Sequence, residues 1–261
     1  MNNFDYHKPS TVEEAVHLLT DGAKALAGGM TLLPTIKQGL AAPDALVDLS
    51  TIEALVGIRE HHDKGVVIGA MTTHATVSSS DLVREKIPSL ASLASGIGDA
   101  QVRHRGTIGG SLANNDPAAD YPAALLGLGG SVHTNKRTIA ADDFFDGLFS
   151  TALEDDEVIA HVHLPIPQYA VYVKFPQPAS RYALVGVFIA QINGGVRVAV
   201  TGAGSDGVFR AQSLETALNQ NFSAAALSGV QENAAELMSD LHGSAAYRAH
   251  LITILAQRAL N

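Results

Sequence analysis

The sequence predicts an α+β protein in two parts, and three observations carry that prediction. A strand-like run at 23–27 opens into Gly28-Gly29 and a helical stretch from Leu32, and a second strand-like run follows at 45–49. The first fifty residues therefore read as a small βαβ-type unit. Pro165-Ile166-Pro167 marks a break in the pattern. Beyond it, residues 171–175, 183–192 and 196–201 read as strands, and Asn193-Gly194-Gly195 joins the last two as a hairpin. The expected layout is a first domain over 1–165, subdivided into about 1–50 and 51–165, and a second over 166–261 with an antiparallel sheet followed by about three helices.

Taken in order, Ser10-Thr11-Val12-Glu13 resembles a capping box, with Glu13 three residues after a serine. Val12, Ala15, Val16 and Leu19 then fall at helical spacing, and Asp21-Gly22 stops the helix. The helix from Leu32 ends at Gly39. Residues 65–70 (GVVIGA) read as a strand, and Thr72-Thr73-His74 caps the next helix. Residues 81–98 read as two short helices broken by Pro88. Residues 123–128 form a short helix, and 131–140 and 157–164 alternate as strands, with Asp142-Asp143-Phe144-Phe145 as a helical turn between them. Residues 213–260 are rich in alanine and leucine at helical spacing, as at Tyr247, Leu251, Ile254 and Leu255.

One stretch resists this scheme. Residues 106–122, GTIGGSLANNDPAADYP, hold three glycines, two prolines, two asparagines and two aspartates between apolar runs. Gly and Pro break helix and strand alike, so the stretch reads as a long irregular polar loop, and such a loop inside a domain has a ligand or a function. Gly109 and Gly110 let backbone amides approach an anion. Thr107, Ser111, Asn114 and Asn115 are neutral donors, while Asp116 and Asp120 accept from hydroxyls. That mixture suits a phosphate joined to a sugar. The strand, glycine pair and helix start at 23–37 likewise aim backbone amides at a phosphate.

Composition narrows the possibilities. Asp and Glu number 26 against 17 Lys and Arg, a formal charge of −9, which disfavours non-specific binding to nucleic acid or anionic membranes. There is no cysteine, so disulfides, zinc–thiolate sites and cysteine-ligated iron–sulfur clusters are excluded. The opening MNNFDYHKPST has no basic stretch leading into an apolar run, and no window approaches the roughly 18 apolar residues of a spanning helix. A cytoplasmic, soluble protein is expected. Neither G-x-G-x-x-G nor G-x-x-x-x-G-K-[ST] occurs. His61-His62 and His161-x-His163 lie beside no carboxylate in a familiar ligand spacing, so they read as an exposed strand face rather than a metal site. Asp142-Asp143 and 154–157 (EDDE) read as solvated charge runs.

The two glycine motifs together carry a family resemblance. ALAGGMTLLP at 25–34 and TIGGSLANNDPAADYP at 107–122 resemble the two flavin-binding motifs of the medium, FAD-binding subunit of molybdenum hydroxylases. The likeness is greatest to the carbon monoxide dehydrogenase medium subunit group and more distant to the FAD domain of xanthine dehydrogenase. FDYHKPSTVEEAVHLL, Gln101-Val102-Arg103, Phe144-Phe145-Asp146-Gly147, Lys174-Phe175 and Ala179-Ser180-Arg181-Tyr182-Ala183 extend it over nearly the whole chain.

The resemblance implies a two-subdomain FAD-binding domain of the vanillyl-alcohol-oxidase (PCMH) type, followed by a C-terminal domain of sheet and helices. It places the FAD pyrophosphate on the amides of Ala27, Gly28, Gly29, Met30, Thr31 and Leu32 and of Thr107, Ile108, Gly109, Gly110 and Ser111. Asp120 would meet the ribityl or sugar hydroxyls, with Asn115 and Asp116 nearby. Lys174 would lie at the pyrimidine edge of the ring, Tyr182 beside the ring, and Ile159 or Leu164 would form an apolar wall. No catalytic side chain is implied. The partners would be a large molybdopterin subunit and a small [2Fe-2S] subunit, in a dimerised heterotrimer passing electrons through FAD to an external acceptor. Met30 stands where His or Gln is frequent and Ser111 where Asn is common, and the 131–140 hairpin and C-terminus are short. Two rivals stay open: a self-contained flavin oxidoreductase of the same superfamily, and a flavin-less binding or assembly module.

Overall fold

The computed structural model describes residues 3–20, 22–63 and 65–261. The N-terminal unit comprises β1 (Asp5–His7), α1 (Val12–Leu18), β2 (Ala23–Leu26), α2 (Leu32–Lys37) and β3 (Ala45–Asp48). Its three strands pair in the order β1-β3-β2, all parallel, which crossover connections through helices require. The cap of α1 sits one residue later than the sequence reading places it. Thr11 Oγ1 accepts from Glu14 N–H, while the Glu14 carboxylate accepts from Ser10 N–H at 2.8 Å. The cap is therefore shared: Thr11 serves the Glu14 amide, and the Glu14 carboxylate, not that of Glu13, reaches back to Ser10. Asp21, expected to help stop this helix, lies outside the described residues.

The middle of the chain holds β4 (Ile58–His61), β5 (Gly65–Gly69), α3 (His74–Ser79), α4 (Asp81–Lys86), α5 (Pro88–Ser95), α6 (Ala100–Arg105), α7 (Ile108–Asn114) and α8 (Tyr121–Leu128). After these come β6 (Ser131–Thr134), β7 (Thr138–Ala140) and β8 (Ile159–Pro165). The strands form an antiparallel sheet in the order β4-β5-β8-β6-β7. One face buries Val66, Ile68, Val132, Val162 and Leu164 against the helices. The stretch 106–122 is more regular than its composition suggests. Gly109 and Gly110 stand in the first turn of α7, and Pro122 in the first turn of α8, positions where neither residue costs an interior hydrogen bond. Only 106–107 and 115–120 lie outside the two helices.

The C-terminal part is a second antiparallel sheet, β9 (Tyr169–Pro176), β10 (Ala183–Ile192), β11 (Gly195–Gly204) and β12 (Gly207–Arg210), in the order β12-β11-β10-β9. The turn at Asp206-Gly207 adds a fourth strand, β12, that the sequence pattern does not announce. In place of three helices there are two, α9 (Gln212–Gln220) and α10 (Ala245–Ala259), with short 3-10 turns at Ala224–Leu227 and Ala234–Glu236 between them. One face of this sheet packs on α9 and α10. The other contributes Phe188, Ala190 and Ala199 to the core of the middle part. Every residue of α8 is buried, as an all-apolar helix between two sheets must be. Gly127 is needed there, since a Cβ would lie 2.6 Å from the Phe188 ring. Among the described residues, no helix is long and apolar enough to cross a membrane.

Candidate functional site

The two glycine motifs meet backbone to backbone. A Cβ on Gly28 would lie 2.1 Å from the Arg105 carbonyl oxygen and 2.8 Å from Gly106 Cα. One on Gly110 would lie 3.2 Å from Ala27 Cβ, and one on Gly109 would lie 2.5 Å from Ala70 Cβ. Glycine is thus required by approach at two positions: Gly28 brings the turn after β2 onto the segment before α7, and Gly109 seats α7 on the end of β5.

Their amides fare differently. The N–H groups of Gly28, Gly29, Met30, Thr31 and Leu32 find no acceptor among the described residues, and Thr31 caps α2 without a side-chain hydrogen bond. Five consecutive unpaired donors at one turn before a helix suit an anion. Gly29, at φ +74, gives the turn its left-handed bend. The second motif does not offer its amides in the same way. Ile108 N–H donates to Thr72 O at 3.1 Å, Gly109 N–H to Ala70 O at 2.8 Å, Gly110 N–H to Thr107 Oγ1 at 3.1 Å and Ser111 N–H to Thr107 O at 3.0 Å. Of the five amides expected to hold a pyrophosphate, those of Ile108, Gly109, Gly110 and Ser111 are thus engaged in anchoring α7 to β5 and in capping it, while Thr107 N–H finds no acceptor among the described residues. What remains toward the first motif are small side chains, with Ser111 half-buried beside Gly110.

The irregular segment 115–120 is gripped from both sides. Asn115 takes the left-handed conformation at φ 42 and is buried, and its Nδ2 donates to Gly147 O and Ser150 O, each at 2.8 Å. It anchors the 147–150 loop rather than facing outward. The Asp116 carboxylate caps its own turn through Ala118 N–H. From the C-terminal sheet, Thr201 Oγ1 donates to Pro117 O and Ala119 O, and Gly202 N–H donates to Pro117 O.

Asp120 is 4 % exposed and makes an ion pair with Lys174 at 3.0 Å while accepting from the Tyr172 hydroxyl. Burial pushes the Asp120 carboxyl up from its ordinary value, with Lys174 and Tyr172 opposing. The Tyr172 hydroxyl is raised well above the usual tyrosine range by burial and by the Asp120 charge. Tyr172 was missed from the sequence. The available signal was its place two residues before Lys174 on a strand, which puts both side chains on one face. Lys174 Nζ also donates to Gly96 O at 3.0 Å, Arg103 to Ile97 O and Gly98 O, and Arg181 to Gly98 O at 3.2 Å. The carbonyls of the turn after α5 are thus held by cations from both parts of the chain. Tyr182 is 46 % exposed, and its hydroxyl is raised first by burial and then by the charges of Asp116 and Asp120, which places it over the same loop.

Ile159 and Leu164 are not brought to this region. They are 5 % and 2 % exposed inside the main core, where Leu164 packs with Leu90, Ile108, Leu112 and Tyr121. The alternation of β8 points Leu164 inward, so the expected apolar wall is core instead. His74, also missed, is buried beside Gly106 with Nδ1 unpartnered among the described residues. Burial and the Arg103 charge hold its pKa down at about 4.

Comparison with known proteins adds family context. Residues 2–167 match the family described as the FAD binding domain in molybdopterin dehydrogenase. The chain is 36% identical to the carbon monoxide dehydrogenase medium chain of Hydrogenophaga pseudoflava, over 99% of this chain and 96% of that one. It is 35% identical to the nicotine 6-hydroxylase medium subunit of Paenarthrobacter nicotinovorans, over 98% and 95%. Among solved structures, a carbon monoxide dehydrogenase from Hydrogenophaga pseudoflava superposes with a TM-score of 0.89 at 35% identity, covering 100% of this chain and 96% of that one.

Proposed function

Since the chain belongs to the family of FAD-binding domains of molybdopterin dehydrogenases, we propose that it is the FAD-carrying electron-transfer subunit of a molybdenum-containing hydroxylase or dehydrogenase. The observation that carries this reading is the run of unpaired amides from Gly28 to Leu32, set against the backbone of the second glycine motif. These residues fit a pyrophosphate: donors without acceptors, no Cβ at Gly28 and Gly29, and no carboxylate among them.

In this proposal Gly28, Gly29, Met30, Thr31 and Leu32 bind the pyrophosphate through backbone N–H groups. Ala27, Thr107 to Ser111 and Asp116 shape the cleft, and Asn115 fixes its floor. Lys174 supplies positive charge toward the pyrimidine edge, balanced in the protein by Asp120, and Tyr182 covers one side of the ring. FAD, when bound, exchanges electrons singly or in pairs, which suits a carrier between one-electron clusters and a two-electron acceptor. The side chains bind, orient and set local charge, and none is placed as nucleophile or general base.

A chain without cysteine cannot ligate an iron–sulfur cluster through thiolates, so the clusters sit on a small [2Fe-2S] partner and the molybdopterin on a large one. The domain division near residue 165 and a cytoplasmic location belong to the same proposal. Purification from the native host tests it. A flavin spectrum, with a small cysteine-rich chain and a large molybdenum chain co-purifying, is expected. A flavin-free protein, or a flavoprotein that travels alone and turns over substrate, would sink the reading.

A further inference from the structure

The outer face of the middle sheet carries a second cluster of chemistry, far in role from the glycine motifs. His61 ends β4, Asp63 lies in the turn to β5, and His163 projects from β8 across that turn. His61 Nδ1 is 2.5 Å and His163 Nε2 is 3.1 Å from the same oxygen, Asp63 Oδ1. All three ligand atoms fall within 4.8 Å of one another. Gly65 makes this possible, because a Cβ there would lie 1.9 Å from His163 Nε2. The ring of His163 lies over that glycine and reaches the hairpin turn. The sequence alone reads His161 and His163 as a bare strand face; what it does not show is that the β4–β5 turn delivers a carboxylate and a third imidazole to them.

We propose that His61, Asp63 and His163 form a binding site for a divalent first-row metal ion of the Zn2+ type, with water completing the coordination. Two imidazoles and one carboxylate, without thiolate, are a donor set that zinc accepts. Ligand atoms about 2.0–2.1 Å from a tetrahedral ion sit roughly 3.3 Å apart, so His163 and Asp63 already stand at the required separation. His61 and Asp63 must open by less than an ångström, and the Asp63 side chain, 48% exposed on a turn, is free to do so.

The neighbouring histidines stay outside the ligand set. His133 has both ring nitrogens engaged, by Ser131 Oγ and Thr138 Oγ1, each at 3.0 Å. His161 stacks on His133 at 4.5 Å with 13° between the rings. A bound ion would clip the β4–β5 turn to β8, two segments a hundred residues apart.

The test is zinc titration of the full chain, without a polyhistidine tag, against a fluorescent zinc indicator. One equivalent taken from the indicator is expected, together with a rise in thermal midpoint. His61→Ala and His163→Ala should each weaken uptake at least about tenfold, the lower edge of what even outer-shell changes cost. Asp63→Asn should do the same on an exposed turn where folding is not at stake, and it decides the matter if either alanine variant fails to fold. His17→Ala and His250→Ala should bind zinc like the parent. No uptake by the parent, or undiminished uptake by Asp63→Asn with the His61→Ala and His163→Ala pair, overturns the proposal. FAD content is read separately, so failure here leaves the flavin reading untouched.

Discussion

Lys174 Nζ sits 3.0 Å from Asp120 Oδ1, with the two side chains only 11% and 4% exposed. The pair joins a strand of the C-terminal sheet to the end of the second glycine motif, and Tyr172 completes it from the same strand. Neither charge has solvent to turn to, so each depends on the other. Removing one partner of such a pair costs about 3–5 kcal/mol, because the survivor is left uncompensated. Asp120→Ala is therefore expected to lower the urea midpoint and the flavin-to-protein ratio together. The double change Asp120→Leu with Lys174→Met should recover much of the stability. If flavin content after purification is unchanged in Asp120→Ala, the placement of this pair beside the cofactor is wrong.

Gly28→Ala should act differently. The new methyl group would meet the Arg105 carbonyl oxygen, a backbone atom that cannot swing away, and so would part the two motifs. Overpacking of this kind costs about 1–3 kcal/mol. Far-ultraviolet circular dichroism should stay near the parent while bound FAD falls at least about tenfold, a loss readable by absorbance after gel filtration.

Met30 offers the contrast. Its side chain is 39% exposed, and the proposal uses only its N–H. Met30→Ala and Met30→His should each change FAD affinity by less than about threefold, as exposed side chains away from special contacts usually do. A large loss in Met30→Ala, measured by fluorescence titration of the apoprotein, would show that the thioether and not the backbone makes the contact.

Much of this architecture was legible because local signals and tertiary demands agreed. The Gly28-Gly29 turn, the Pro88 break and the Asn193-Gly194 hairpin each follow from backbone restrictions that packing does not alter. Composition alone makes 106–122 look like one loop, because it ignores position: Gly109 and Gly110 open α7 and Pro122 opens α8. Partners distant in sequence could not be read in this way. That Ile108 and Gly109 surrender their amides to Thr72 and Ala70 depends on β5 lying beneath α7. That Leu164 is core depends on which face of β8 turns inward, and alternation gives the period but not the side.

Asn115 shows the same dependence on context. Its main chain is left-handed, which asparagine tolerates better than most residues, and its side chain ties down Gly147 and Ser150. Asn115→Ala loses both hydrogen bonds and leaves the Gly147 carbonyl without its donor, while Ser150 O keeps Asp146 N–H. A loss of about 1–3 kcal/mol is expected, with faster proteolysis in the 147–150 loop than in the parent. Equal cleavage rates after Leu148 and Phe149 in limited chymotrypsin digests would show that the loop is held by other contacts.

His74 supplies the pH dependence. Its folded pKa of about 4 lies below its ordinary 6.5, because burial and Arg103 disfavour the imidazolium. The unfolded chain takes up a proton as the pH falls below 6.5 and the folded chain does not until near 4. The contribution of His74 is thus whole above pH 6.5 and is lost progressively between 6.5 and 4, to a limit of about 3 kcal/mol. His161 titrates in the same window, so the informative quantity is the difference between the parent and His74→Leu. That variant binds no proton at position 74 in either state, and its unfolding free energy should fall less steeply from pH 7 to pH 4.5. Since His74 packs beside Gly106, flavin release should follow the same curve in the parent and be blunted in the variant. Parallel stability curves for the two proteins would mean that His74 takes up its proton inside the fold as readily as in the unfolded chain.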